Sequence, residues 1–154
     1  MQINCECFST YNHDSRGIRF KFEDLCRQLF INEFIKDNKQ YKYLHANPNN
    51  HGLETEPIYD EVNDRWIGFQ AKFFDTVVKY DQIMHSAQKT VEYYTGKEGI
   101  VNCVYLFCNK PITAISDRYV NCVKYLSNYE IEIQLITDTA ILDLVRAKYP
   151  YLGL

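Results

Sequence analysis

The sequence predicts a mixed α/β fold in which helices pack around a single sheet. A mostly apolar run over 101–108 is typical of a strand buried on both faces. Residues 66–74 form a second strand pattern, in which Gln70 and Lys72 share one face and the residues between them take the other. Apolar residues three and four positions apart indicate amphipathic helices around these strands. With 154 residues, the chain can form one domain over 1–154 with its own core.

The predicted elements follow the order α-β-β-β-α-β-α-β-α. Amphipathic spacing predicts helices within 16–36, 77–94, 116–128 and 138–148. Ser116 and Asp138 are the expected N-caps of the last two helices, and Pro150 follows the last one. Short apolar or alternating stretches predict strands at 41–46, 53–59, 66–74, 101–108 and 130–136. The second and third strands are expected to form a hairpin around a loop at 60–65.

Composition is ordinary for a globular protein and disfavours several classes. The formal net charge of −3 argues against a general nucleic-acid coat protein. No apolar run approaches the length of a membrane span, and the N-terminus lacks the pattern of a signal peptide. The six Cys form no Cys-x-x-Cys pair and the four His show no metal-ligand spacing to them. We therefore expect free, mostly buried thiols and a cytoplasmic location.

Three residues concentrate the chemistry of the chain: Glu54, Gln70 and Lys72. Glu54 stands at the head of the strand predicted over 53–59, and the other two lie within the strand predicted over 66–74. A lysine inside an aromatic strand is costly to bury unless an anion meets it. A carboxylate, an amide and a lysine that converge on one point make a place for a divalent cation and a phosphate. This combination indicates a nuclease.

Three short motifs resemble those of the PD-(D/E)xK nuclease superfamily, in its Mrr-like restriction endonuclease branch. They are Phe22-Glu23 on the first helix, Gly52-Leu53-Glu54 at a turn, and Gln70-Ala71-Lys72 on a strand. More narrowly, the segment Gly68–Phe74 looks like the nuclease domains at the N-termini of bacterial antiphage STAND NTPases of the Avs type. The resemblance implies a restriction-endonuclease-like α/β/α sandwich around a mixed central sheet, standing at the N-terminus of a longer protein.

The resemblance also implies roles for the residues of these motifs. Glu54, Gln70 and the backbone carbonyl of Ala71 are expected to hold Mg²⁺, which prefers oxygen ligands, and Mn²⁺ is expected to substitute for it. Lys72 is expected to position or deprotonate the attacking water and to stabilise the transition state. Glu23 is expected to support the site from the second shell of the metal.

Other positions leave alternatives open. Glu56 lies two residues beyond Glu54, so that either acid is a candidate for the main metal ligand. Lys89 and Gln82 on the helix predicted over 77–94 are candidates for contacts with DNA. The sequence departs from the family pattern where Asn50-His51-Gly52 replaces Asp-Gly-Gly and where Gln70 replaces an acid.

The expected function is metal-dependent hydrolysis of DNA in the cytoplasm of a bacterium. The resemblance implies an attached NTPase or sensor region and activation by oligomerisation, with no membrane partner. The 154 residues contain no Walker A motif, so an NTPase would lie outside them. Two alternatives stay open: a catalytically inactive relative that binds DNA or mediates assembly, and an unrelated interaction module with an accidental Gln-x-Lys.

Overall fold

The computed structural model describes residues 15–35, 52–95 and 100–148. Within these ranges the chain forms four helices and four strands. The helices are α1 (Ser15–Phe34), α2 (Tyr80–Tyr94), α3 (Asp117–Ser127) and α4 (Asp138–Lys148). The strands are β1 (Ile58–Asp60), β2 (Arg65–Lys72), β3 (Cys103–Cys108) and β4 (Glu132–Thr137).

The four strands form one mixed sheet in the order β1-β2-β3-β4. β1 and β2 are antiparallel and close through the turn at 61–64. β2, β3 and β4 are parallel, with Lys72 opposite Cys108 and Cys108 opposite Thr137. Parallel neighbours require a crossover connection, which α2 supplies between β2 and β3 and α3 supplies between β3 and β4. The predicted mixed α/β class and the predicted hairpin connection are confirmed.

The sheet lies between two layers of helices, because β3 is buried at all six positions and feeds a core on each face. Cys103, Tyr105 and Phe107 belong to the core that contains residues of α1 and α4. The alternate side chains of β3 belong to two clusters with residues of α2 and α3. The continuous apolar pattern of 101–108 therefore indicated a central strand correctly.

Several predicted boundaries are wrong. The strand predicted over 53–59 is only Ile58–Asp60, because Pro57 has no N–H to donate to a ladder and residues 52–55 bend instead. The helix predicted from 77 begins at Tyr80, and the strand predicted from 130 begins at Glu132. Glu130 has a φ of 60°, which ends the turn after α3 before extended structure starts. The strand predicted at 41–46 and the stop at Pro150 lie outside the described residues.

The expected helix caps differ in outcome. Ser116 is the N-cap of α3 and has extended backbone geometry, but its side chain makes no capping hydrogen bond. Asp138 lies in the first turn of α4, where its negative charge interacts favourably with the positive end of the helix dipole.

Buried thiols are the observed state of four cysteines. Cys26, Cys103, Cys108 and Cys122 are free and buried, as the sequence predicts. Burial raises the pKa of Cys103 and of Cys108 to about 11, so both remain neutral at physiological pH. Cys5 and Cys7 lie outside the described residues. Among the residues that the structure describes, no helix has the length and apolar character to cross a membrane.

Asn109 extends the pairing of β2 and β3 beyond the ends of both strands. Its N–H donates to the carbonyl of Lys72 at 3.3 Å. Its buried side chain accepts the N–H of Phe74 at 2.8 Å and donates to the carbonyl of Phe74 at 2.9 Å. The side-chain amide of Asn109 thus pairs with the backbone of Phe74 as a neighbouring strand would. It holds in place the segment that follows Lys72 at the end of β2.

We predict that Asn109→Ala destabilises the fold. Without the side chain, the buried N–H and C=O of Phe74 lose their partners. Each unsatisfied group costs roughly 1–3 kcal/mol, so a loss of about 2–6 kcal/mol is expected in urea unfolding. Asn121→Ala is the matched control, because Asn121 is exposed on α3. Equal unfolding midpoints for the two variants would contradict this role of the Asn109 side chain.

Candidate functional site

Glu54 lies against the outer edge of β2, beside the residues that the sequence analysis singled out. Its N–H donates to the carbonyl of Phe69 at 2.9 Å. The N–H of Ala71 donates to Glu54 Oε1 at 3.3 Å. Phe69 and Ala71 therefore direct their backbone groups to the same edge, and the carbonyl of Ala71 belongs to that edge as well. The structure brings Glu54 and the Gln70-Ala71-Lys72 segment together.

Two glycines allow the segment before Glu54 to approach the sheet and α2. Gly52 has a φ of +89°, and a Cβ at this position would lie 2.5 Å from the carbonyl oxygen of Ser86. A Cβ on Gly68 would lie 2.7 Å from Leu53, which is fully buried. Only glycine permits this backbone conformation at 52 without strain, so the turn that presents Glu54 depends on it.

α1 brings Glu23 and Arg27 to the same place. Phe22, Cys26 and Phe30 form the buried stripe of α1, with Phe30 and Phe69 ring centroids 5.0 Å apart. Glu23 and Arg27 each follow a member of that stripe, so they flank the core rather than enter it. They form an ion pair at 3.0 Å, and both act electrostatically on Glu54.

The pKa of Glu54 is raised to about 7. Burial is the largest cause and the negative charge of Glu23 is the second. The hydrogen bond from Ala71 and the positive charges of Lys72 and Arg27 oppose these effects without cancelling them. The carboxyl group therefore changes between its neutral and its charged form near neutral pH.

The side chains of Gln70 and Lys72 lie on the face of β2 that α2 covers, opposite the face that α1 covers, as the predicted alternation requires. Gln70 Nε2 donates to the carbonyl of Gly52 at 2.5 Å and to Thr90 Oγ1 at 3.4 Å. Lys72 Nζ donates to Ser86 Oγ at 2.5 Å. Within the described part of the chain, the amide nitrogen of Gln70 thus donates to protein acceptors, and its Oε1 is the atom that could bind a cation.

Burial lowers the pKa of Lys72, and the charge of Lys89 lowers it further. Glu54 acts in the other direction, since its negative charge favours the ammonium form. Lys89 is exposed on α2 and close enough to Lys72 to act on it. The site therefore combines a desolvated carboxyl group with a desolvated amine, held on neighbouring elements.

Two other predicted residues lie elsewhere. Glu56 is exposed, and its carboxylate accepts the hydroxyl of Tyr94 at 3.4 Å, near the end of α2. Gln82 is exposed in the first turn of α2 and lines a small pocket of about 90 Å³ with Arg19 and Lys79. Neither side chain makes a hydrogen bond to Glu54, Gln70 or Lys72 in the described structure.

The chemistry of the donor set fits a hard cation. A carboxylate, an amide oxygen and a backbone carbonyl are the oxygen ligands that Mg²⁺ takes. Glu54 and the carbonyl of Ala71 offer two of them at the edge of β2, and Gln70 offers the third on the face of β2 toward α2. Burial and the charge of Glu23 disfavour the ionised form of Glu54, and a cation beside the carboxylate would offset that cost. Among the described residues, no three His, Cys, Asp or Glu side chains cluster.

The sequence did not assign Ser86, Thr90 or Arg27 a role in the site. The buried face of α2 contains two hydroxyl residues, Ser86 and Thr90, four positions apart among apolar side chains. A polar pair at this spacing on a buried helix face is itself a signal, because buried hydroxyl groups require hydrogen-bond partners. The partners are the Gln70 and Lys72 side chains, together with the Ser86 carbonyl that Thr90 bonds at 2.8 Å.

No protein-family model matches this chain, and no curated protein matches it.

We predict that Glu54→Gln stabilises the metal-free protein at pH 8. A carboxyl group whose pKa is raised on folding contributes stability below its unfolded pKa, and this contribution is lost as pH rises through about 7. The amide keeps the acceptor for the Ala71 N–H and carries no charge. The gain at pH 8 is expected to reach up to about 3 kcal/mol, since each pKa unit corresponds to roughly 1.4 kcal/mol.

The measurement is urea unfolding with a chelator at pH 4 and pH 8. At pH 4, below the ordinary pKa of 4.5, the Glu54 carboxyl group is largely protonated in the folded and in the unfolded protein, so Glu54→Gln is expected to change the stability little there. Glu56→Gln serves as the control, because Glu56 is exposed. A stability difference for Glu54→Gln that is the same at both pH values would refute the assignment of a raised pKa.

Proposed function

We propose that this chain is a metal-dependent DNA endonuclease with a restriction-endonuclease-like α/β/α fold, similar to the Mrr-like branch of the PD-(D/E)xK superfamily. The observation that carries the proposal is the desolvated Glu54 carboxyl group, bonded to the backbone of the strand that bears Gln70 and Lys72. Burying a carboxylate beside a lysine without a direct ion pair costs stability. That cost is expected where a site is arranged for a charged ligand.

Glu54, Gln70 and the carbonyl of Ala71 would hold Mg²⁺, with Mn²⁺ able to replace it. When bound, the ion lowers the pKa of a water molecule and neutralises charge on the scissile phosphate. The protein holds these groups in position. The hydrogen bond that Gln70 donates to the carbonyl of Gly52 fixes the amide plane, and the hydrogen bond that the Ala71 N–H donates fixes the carboxylate. Both groups are therefore preorganised before substrate arrives.

Lys72 acts on the reacting phosphate and water. Its ammonium group is partly desolvated, so its charge interacts with a phosphate more strongly than an exposed lysine would. As water adds to phosphorus, the bond to the leaving oxygen breaks and negative charge grows on the non-bridging oxygens. Lys72 stabilises that charge and orients the water.

Glu23 and Arg27 support the carboxylate from α1. Arg27 bonds both Glu23 and Asp24, at 3.0 and 3.3 Å, which restricts where the Glu23 charge can lie. The Glu23 charge raises the pKa of Glu54 and increases the negative potential that attracts a cation. Glu23 is thus a supporting residue rather than a direct ligand in this proposal.

DNA is the proposed substrate, with Lys89 and Gln82 as contacts on the exposed face of α2. The net charge of −3 means that few counterions are released when the domain binds a duplex. Weak binding by one copy would be offset when several copies act on one duplex. This agrees with the proposed role as an antiphage effector that an attached NTPase or sensor region brings together.

A catalytically inactive DNA-binding or assembly module is the second candidate. Its support is Gln70, whose amide donates to Gly52 and Thr90 and thereby has a sufficient structural role. A nicking assay on supercoiled plasmid with Mg²⁺ or Mn²⁺, and with chelator as the blank, separates the two candidates. Cleavage that the chelator abolishes supports the nuclease, and binding without cleavage supports the inactive module.

Lys72→Ala is expected to lower the rate constant of cleavage by about 100- to 1,000-fold, the range for loss of one donor to the transition state. The fold should persist, because the change removes a desolvated charge and introduces no larger group. Lys124→Ala is the matched control, since Lys124 is exposed on α3. Wild-type cleavage by purified, folded Lys72→Ala would remove Lys72 from the mechanism.

Glu54→Ala is expected to abolish cleavage, whereas Glu56→Ala is expected to retain it. Glu54 is held at the edge of β2 by two hydrogen bonds, while Glu56 is exposed and bonds Tyr94. Plasmid cleavage over a series of Mg²⁺ concentrations measures both variants. The reverse order of effects would make Glu56 the ligand, and equal partial losses would mean that both acids share the ion.

A further inference from the structure

Ser86 is the one group to which Lys72 donates a hydrogen bond among the described residues, at 2.5 Å. Ser86 is 8% exposed and lies on the buried face of α2. Its carbonyl accepts the hydroxyl of Thr90 and sits against Gly52, so the backbone that bears the hydroxyl is fixed from two sides. The acceptor for the Lys72 ammonium group is therefore rigid.

Lys72 has an alternative partner close by. Glu54 and Lys72 act on each other electrostatically, yet these two described side chains form no ion pair. A lysine has a flexible four-carbon stem and three donors, so nothing in its own geometry prevents a direct bond to the carboxylate. The ammonium group instead donates to Ser86.

We propose that Ser86 is a positioning residue that keeps the Lys72 ammonium group apart from the Glu54 carboxylate, so that both remain available to the cation and the phosphate. The proposal rests on the proposed nuclease function. A lysine paired directly with Glu54 would neutralise the carboxylate that is to hold the cation. It would also withdraw the ammonium group from the phosphate.

The repulsion between Lys72 and Lys89 makes the hydroxyl more important. Lys89 lies on the same helix as Ser86, three residues further along, and its charge disfavours the charged form of Lys72. An ammonium group released from Ser86 would be repelled by Lys89 and attracted by Glu54.

The first test compares steady-state plasmid or duplex cleavage by Ser86→Ala, Ser86→Thr and the wild type in Mg²⁺. Ser86→Ala is expected to lower kcat by about 10- to 100-fold, the scale of a small misplacement of a catalytic group, with KM for DNA unchanged. Ser86→Thr restores the hydroxyl and is expected to restore kcat. Ser127→Ala, which removes an exposed serine from α3, is the matched control.

The second test does not depend on cleavage. In the metal-free protein, the ¹⁵Nζ resonance of Lys72 is assigned by its absence in Lys72→Met. It is expected to be observable in the wild type, Ser86→Thr and Ser127→Ala, and to shift or vanish in Ser86→Ala. This resonance reports the hydrogen bond even if no nuclease activity is found, so failure of the proposed function and failure of the Ser86 role are separable.

Three results would overturn the role of Ser86. They are wild-type kcat in Ser86→Ala, an unchanged Lys72 resonance in Ser86→Ala, and a folded Ser86→Thr that is as impaired as Ser86→Ala. A fall in kcat with unchanged KM, rescue by threonine and a displaced Lys72 resonance in the alanine variant would support it.

Discussion

The pairing of Glu54 with the edge of β2 is the interaction on which the rest of the site depends. One backbone bond to Phe69 and one side-chain bond from Ala71 place a carboxyl group where β1 has not yet begun. The same edge of β2 would otherwise present unpaired backbone groups to solvent. The bent segment at 52–55 therefore pairs with the edge of β2 and also carries Glu54. The stability of this edge and the geometry of the site thus depend on the same hydrogen bonds.

The two helix layers cover opposite faces of β2 and contribute different groups to the site. α1 packs its aromatic stripe on one face of β2, with Phe22 and Phe73 ring centroids 5.4 Å apart, and brings charge through Glu23 and Arg27. α2 covers the other face and bonds Gln70 and Lys72 through hydroxyl groups, while the charge of Lys89 on the same helix acts against that of Lys72. A hydroxyl partner does not neutralise an ammonium group, and a charge in a partly dry setting interacts strongly with a phosphate.

Sequence reasoning reached the central strands and the residues on them because those features depend on local periodicity. The alternation of 66–74 placed Gln70 and Lys72 on one face, and the structure agrees. The strand prediction was wrong at Leu53–Pro57. Buried Leu53 and the acid Glu54 fit a strand pattern there, but the backbone bends. Sequence reasoning also missed the roles of Ser86 and Asn109, because their partners lie 14 and 35 residues away. Such contacts arise from tertiary packing, which local patterns do not encode.

Because Gln70 is neutral, the site offers a cation less negative charge than two acids would. Most of the negative charge near a bound cation would come from Glu54, because Glu23 is paired with Arg27 and Gln70 has none. A cation held by one carboxylate and two neutral oxygens keeps much of its charge for other ligands. Phosphate oxygens of a substrate would then complete both its coordination and its charge balance. In the proposed nuclease, cation and nucleic acid would therefore bind cooperatively, and the neutral Gln70 would couple the metal affinity of the site to the presence of substrate.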